Sequence, residues 1–375
     1  MSLRIKGHTS TLTKRTVGRV SRLHVNSDEK NNTFLAITDL DSLSLLREDE
    51  LHDYAALLLK TGIILPEDIY LGKAPIIAEY AELPIDGTIL AINPNGHTFK
   101  LYRPDSSYNA LFVTNSCNSN CIMCPQPPSD DNIEAMTEEQ LKVISLISDE
   151  ASTIGITGGE PLLLGHGLVK IIKALRDKLP NTAVHILTNG RLLAYNEVAK
   201  EIATVAHPDL VLGVPLFSDN AEEHDYIVQK KGAFDQTVVG LMNAARFSIN
   251  IEIRMVLHQQ TIPRLLHFSE YIYRNFPFAV HISLMGMENM GYVKKNINQL
   301  WIDPVDYMVE LSSAVRFLHY RNFLVSIYNL QLCILPQDLW SFAKNSISDY
   351  KNIYLDECQA CNVLEKCGGL FLSTE

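Results

Sequence analysis

The segment Leu111-Phe112-Val113-Thr114-Asn115-Ser116-Cys117-Asn118-Ser119-Asn120-Cys121-Ile122-Met123-Cys124 joins a short apolar run to a loop bearing three cysteines. The run Leu111-Phe112-Val113 reads as a buried strand that ends where the cysteine loop begins. Spacings of x3 and then x2 put three thiolates on one tight turn. Such a trio can ligate three irons of a four-iron cluster and leave the fourth open to a substrate or cofactor. Three unrelated core cysteines are the competing reading, because free Cys is often buried. So short a loop argues against it.

Outward from that strand, apolar runs recur at 110–114, 152–157, 183–188, 209–216, 250–257 and 279–284. Each has the length of a parallel strand buried on both faces. Helical patterns lie between them. One opens at Thr137-Glu138-Glu139-Gln140, a capping box ahead of Leu141, Ile144 and Ile147; others cover 166–179, 192–205, 233–247 and 261–276. Right-handed βαβ units follow, and six strands give an open, partial (β/α)6 TIM-like barrel whose chemistry gathers at the C-terminal strand ends. The expected division is an N-terminal α+β region over 1–105, the barrel over 106–300, and a cysteine-rich extension over 301–375. In the first region, Asn93-Pro94-Asn95-Gly96 signals a β-hairpin and 43–60 has helical spacing. Further on, 304–320 reads as a helix and 323–328 as one more strand.

Forty-three acids against thirty-two bases give a net charge of −11, with no Lys/Arg block, which disfavours binding to a nucleic-acid backbone. No apolar run reaches the roughly 18–20 residues of a membrane span, and the N-terminus lacks an apolar signal core. Seven cysteines in two groups point to metal ligation in a reducing compartment, so the cytoplasm is expected.

The second strand ends in Gly158-Gly159-Glu160-Pro161. Two glycines allow close backbone approach to a ligand, and Glu160 offers an acceptor to a cationic group; a plain turn is the alternative. Asn189, in Thr188-Asn189-Gly190, and Ser218 close the third and fourth strands, each readable as a ligand contact or as an ordinary loop residue. Arg254 shares a strand face with Glu252. Its partner is either a cofactor carboxylate or a protein acid such as Glu252 or Glu160. His281 lines the same cavity or is a satisfied core histidine. Cys358, Cys361 and Cys367 form a Cys-x2-Cys-x5-Cys run, and Cys333 makes four soft ligands, which suit an iron–sulfur cluster or zinc.

With its CxxxCxxC loop followed by Gly-Gly-Glu one βα unit later, the chain resembles a radical S-adenosylmethionine (SAM) enzyme. That resemblance implies a [4Fe–4S] cluster on Cys117, Cys121 and Cys124. It also implies SAM chelating the open iron and held by Gly158, Gly159 and Glu160, with reductive cleavage to a 5′-deoxyadenosyl radical. Members commonly carry an aromatic residue before the third cysteine, against the adenine; here it is Met123. The C-terminal run is similar to auxiliary-cluster domains of the same enzymes, except that Phe371 stands where the extended version has a further Cys. This implies one auxiliary [4Fe–4S] cluster with Cys333 as fourth ligand, zinc being the alternative.

Several segments are similar to the C-type radical SAM maturase of His-Xaa-Ser peptide systems. They are 115–128 with Asp130-Asp131, Met285-Gly286-Met287-Glu288, Leu300-Trp301-Ile302-Asp303-Pro304, 327–333, and Cys367-Gly368-Gly369-Leu370-Phe371. In the first hundred residues the likeness rests on Gly18-Arg19-Val20 and the hairpin. The implied substrate is a ribosomal precursor peptide. The implied partners are a companion radical SAM maturase, a small accessory protein, and a reductant such as flavodoxin or ferredoxin. Competing readings are a radical SAM enzyme acting on a small molecule or RNA, and a non-catalytic iron–sulfur or zinc scaffold.

Overall fold

The computed structural model of the chain describes residues 4–6, 8–9, 12–39, 51, 53–63, 76–148, 151–345 and 352–371. They fall into two compact units, one of Met1–Ala110 with Glu138–Ser152, the other of Leu111–Thr137 with Thr153–Glu375.

Among the described residues the first unit is built on eight strands: β1 (Arg4–Lys6), β2 (His8–Thr9), β3 (Thr16–Ser21), β4 (Thr33–Ile37), β5 (Ala56–Lys60), β6 (Ile76–Tyr80), β7 (Ile89–Ile92) and β8 (His97–Tyr102). Their order is β1-β8-β7-β3-β4-β5-β6-β2, parallel from β3 to β6 and antiparallel elsewhere. The Asn93–Gly96 turn joins β7 to β8 as its residues predict, with Gly96 at φ +81°. The helical spacing over 43–60 does not become a helix at its C-terminal end. Ala56–Lys60 is a strand, and 41–50 and 52 lie outside the described residues. Strand β5 is buried on both faces: Ala56 and Leu58 join one core cluster while Leu57 and Leu59 join another. Continuous burial produces a continuous apolar run, which also satisfies helical spacing.

The second sheet contains β9 (Asn109–Phe112), β10 (Thr153–Thr157), β11 (Ala183–Leu187), β12 (Leu210–Pro215), β13 (Asn250–Leu257), β14 (His281–Gly286), β15 (Val325–Tyr328) and β16 (Ala343–Lys344), in unbroken sequence order. Neighbours from β10 to β16 pair in parallel. This is the half-barrel expected from the βαβ pattern, continued by the further strand expected at 323–328, which is β15, and by β16, which was not expected. Ile154, Ile156, Val184, Ile186, Leu212 and Val214 are essentially unexposed, so each strand is apolar in the middle.

Among the described residues the α-helices are α1 (Ile133–Leu146), α2 (His166–Lys178), α3 (Asn196–Thr204), α4 (Ala221–Val228), α5 (Ala233–Arg246), α6 (Leu265–Asn275), α7 (Val293–Leu300) and α8 (Met308–His319). Helix α1 starts a turn before the capping box read from the sequence. Asn132 Oδ1 accepts from the Ala135 N–H (3.1 Å), whereas Thr137 lies inside the helix and donates back to Ile133 O (2.8 Å). Helix α4 has no counterpart among the expected elements. At the C-terminus, β17 (Asn352–Ile353) and β18 (Leu370–Phe371) pair antiparallel and close the segment holding Cys358, Cys361 and Cys367. Among the described residues no helix is long and apolar enough to cross a membrane.

Candidate cofactor site

The cysteine loop leaves β9 and is fixed at its base before the first cysteine is reached. Val113 N–H donates to Thr157 O, Gly159 N–H to Thr114 O (2.7 Å) and Glu160 N–H to Ser116 O (2.8 Å), which stitches the loop to the Gly-Gly-Glu turn. The approach requires glycine. A Cβ on Gly158 would lie 2.4 Å from Thr114 O, and one on Gly159 only 2.2 Å from Ser116 O. Further along, Asn120 and Ile122 N–H groups donate to Val228 and Ile227 O at the end of α4. Tyr292 N–H reaches Cys124 O (2.9 Å), and Asn296 Nδ2 donates to Ile122 O (2.7 Å).

All three cysteines are half-buried as residues and none is in a disulfide. Burial pushes the thiols of Cys117 and Cys124 up, and that of Cys121 up to about 12. A cation that coordinates sulfur reverses this preference by displacing the proton. Among the described residues no three His, Cys, Asp or Glu side chains converge on a single-ion site. Cluster thiolates bind separate irons and need no such convergence.

Glu160 is fully buried and works differently from the acceptor read in the sequence. Its Oε1 accepts from Leu162 N–H (2.8 Å) and Thr188 Oγ1 (2.5 Å), and its Oε2 from Asn189 N–H (2.6 Å). Burial pushes its carboxyl up, and these donors pull against that. The side chain therefore locks the β10 and β11 ends together. The turn's partly exposed carbonyls, Gly158 O and Gly159 O, receive no hydrogen bond from the described residues. Two such acceptors, in a turn bonded to the base of the cysteine loop, can receive an ammonium group.

Asn189 lies in the same place: its Nδ2 donates to Asn118 Oδ1 (2.6 Å) and comes within 4.0 Å of Cys117 Sγ. Met123 is buried in an apolar cluster with Ile122, Phe217, Ile227 and Val293. Ser218 is committed elsewhere, donating to Glu223 Oε2 (2.7 Å). Of the two partners weighed for Arg254, the structure shows the protein acid: the guanidinium binds Glu252 and touches Met285 Sδ (3.1 Å). His281 is the satisfied histidine, between Glu252 Oε2 and Ser326 Oγ at 2.8 Å each.

Burial raises the Cys333 thiol, helped by the nearby Cys367, Cys358 and Cys361. Leu332 N–H points at Cys367 Sγ (3.4 Å), and Tyr354 Oη donates to Cys367 O (2.7 Å).

Two residues of the site have no role assigned from the sequence, where Asp131 counts only towards a family resemblance and Arg191 not at all. Asp131 gathers Thr114, Asn115 and Ser116 around one carboxylate, and Arg191 enters the cysteine loop from the β11 side. Only the finished fold places them there.

Residues 111–271 match the Radical SAM superfamily. The probable GTP 3′,8-cyclase of Methanocella arvoryzae is 30% identical over 166 residues, which is 42% of this chain and 51% of that protein. The antilisterial bacteriocin subtilosin biosynthesis protein AlbA of Bacillus subtilis is 26% identical over 266 residues, 68% of this chain and 54% of AlbA. The chain thus spans about half the length of these relatives. A crystal structure of Streptococcus suis SuiB bound to S-adenosylmethionine is similar with a TM-score of 0.49 and 13% identity, covering 66% of this chain and 55% of that one. With the cysteine loop and the Gly-Gly-Glu turn stitched together at one end of a parallel half-barrel, residues 111–271 form a radical SAM domain.

Proposed function

We propose that this chain is a radical SAM maturase that modifies a ribosomally made peptide carrying His-Xaa-Ser repeats. The observation that carries the enzymatic part is the stitching of the base of the cysteine loop, at Thr114 and Ser116, to the turn at Gly159 and Glu160. When bound, a reduced [4Fe–4S] cluster and SAM supply a 5′-deoxyadenosyl radical able to take hydrogen from a substrate carbon. The chain holds and shields these groups. The three cysteines ligate three irons, the Gly158 and Gly159 carbonyls receive the SAM amino group, and Glu160 keeps that turn in place. Asn189 borders the cluster, and Met123 offers an apolar surface to the adenine. For Ser218 and Arg254, a SAM contact requires exchanging the carboxylates of Glu223 and Glu252 for that of the cofactor.

Cys333, Cys358, Cys361 and Cys367 hold a second [4Fe–4S] cluster in this reading, with zinc as the alternative. The partners are the precursor peptide, a companion maturase, a small accessory protein and a flavodoxin or ferredoxin reductant, all in a reducing cytoplasm. The bacteriocin-biosynthesis relative supports a peptide substrate, while the GTP cyclase relative favours a second reading, a small molecule.

Anaerobic reconstitution tests the chemistry: 5′-deoxyadenosine is expected from the wild type and not from Cys121→Ala. Intact SAM with the wild type would leave an inert metal scaffold. Anaerobic co-expression with a His-Xaa-Ser peptide, read by mass spectrometry, tests the substrate. An unmodified peptide alongside active SAM cleavage sinks the peptide reading. Iron and zinc analysis decides the second site, with about eight irons for two clusters against about four irons and one zinc.

A further inference from the structure

Arg191 follows the Thr188-Asn189-Gly190 turn and is only 7% exposed. Its guanidinium reaches between the first two cysteines, where Nη1 donates to Asn118 O and to Ser119 Oγ (3.1 Å). On its other side Nε donates to Gln236 Oε1 (2.8 Å). All three acceptors are neutral, and among the described residues no carboxylate lies within ion-pair distance of it. The other well-buried arginines differ: Arg254 is paired with Glu252 and Arg103 with Asp105. A guanidinium does not shed its proton, so taking it out of water without a counter-charge is costly. Glu160 feels the charge of Arg191 but does not touch it, and its oxygens are taken up by Leu162, Thr188 and Asn189.

We propose that Arg191 is the counter-cation of the iron–sulfur cluster on Cys117, Cys121 and Cys124, pinning the loop with its fork and offsetting the negative charge of the thiolates. The inference rests on the radical SAM reading of the site. Reduction adds negative charge to the cluster, and a fixed cation within the loop favours that state over the oxidised one. Arg191 is thus a positioning residue that also makes the cluster easier to reduce.

The experiment is an EPR-monitored redox titration of the anaerobically reconstituted full chain without SAM, with iron content measured in parallel. Arg191→Lys keeps the charge and is expected to hold a midpoint potential near wild type. Arg191→Gln is expected to shift it negative. Gln236→Glu leaves the arginine and its loop contacts in place but gives it a carboxylate partner, and is also expected to shift the potential negative. A purely structural role predicts no shift for Gln236→Glu, and equal damage from the lysine and glutamine variants. That pattern overturns the inference even if Arg191→Gln proves too unstable to load. A wild type that forms no cluster overturns the site reading, and this inference with it.

Discussion

Asp131 accepts hydrogen bonds from Thr114 Oγ1 (2.8 Å), the Asn115 N–H (2.5 Å), Asn115 Nδ2 (3.2 Å) and Ser116 Oγ (3.0 Å), the three residues just ahead of Cys117. Burial would raise its carboxyl, but these donors outweigh it and hold the group below the usual carboxylate range. Asp131→Ala leaves several polar groups without their acceptor, a cost of about 1–3 kcal/mol for each one that stays buried. The loop is then expected to release iron to a chelator several-fold faster than wild type, measured as bleaching of the visible absorbance. Asp131→Asn, which keeps the size and one acceptor oxygen, is expected to fall between. Bleaching at the wild-type rate in both would show that the loop holds without this clamp. The cysteines were legible in the sequence because few side chains can do their chemistry and their spacing is local. Asp131 and Arg191 were not, because Asp and Arg occur everywhere and their meaning here depends on a loop that folds back on itself.

At the scale of the element, β13 shows how a polar face is carried inside an apolar sheet. Its register sets Glu252 opposite His281 and Arg254 opposite Ser283, so one carboxylate serves Arg254 and His281 together. Burial alone would raise Glu252, but the His281 hydrogen bond and the Arg254 charge hold its carboxyl at about 2. Glu252→Ala strands a buried guanidinium and is expected to cost about 3–5 kcal/mol, while Glu252→Met with Arg254→Met removes both charges and is expected to cost much less. Urea unfolding of the single and double variants checks this, and additive losses would mean the two side chains are not coupled. The alternation that put Glu252 and Arg254 on one face was readable because a strand repeats every two residues. Which acid answered the arginine was not, since that depends on register between distant strands. Helix α4 escaped for a related reason. It is short, and its buried residues Ile227 and Val228 face the cysteine loop instead of forming a long periodic stripe.

At the scale of the whole molecule, the second unit carries buried imidazoles that must stay neutral. His224 Nδ1 accepts from Phe217 N–H and His258 Nδ1 from Gln260 N–H, both at 3.2 Å, and burial pushes each ring down to about 4. In the unfolded chain these rings titrate near 6.5. Between about pH 6.5 and pH 4 the unfolded state therefore binds protons that the folded state refuses, so stability falls as pH drops through that window. Each ring contributes up to about 3 kcal/mol of this loss. Glu252 acts in a lower window: its stabilisation is present above the unfolded carboxylate value of about 4.3 and is lost as pH falls towards 2. Both tryptophans, Trp301 and Trp340, belong to the second unit, so their fluorescence reports its unfolding. Urea midpoints are expected to fall steadily from about pH 7 to about pH 5, well above the window in which Glu252 acts. His258→Asn, whose Oδ1 can replace the Nδ1 acceptor, is expected to lower the midpoint at pH 7 and flatten the slope. A wild-type midpoint that stays level across that range would show that these rings bind protons equally in the folded and unfolded chain.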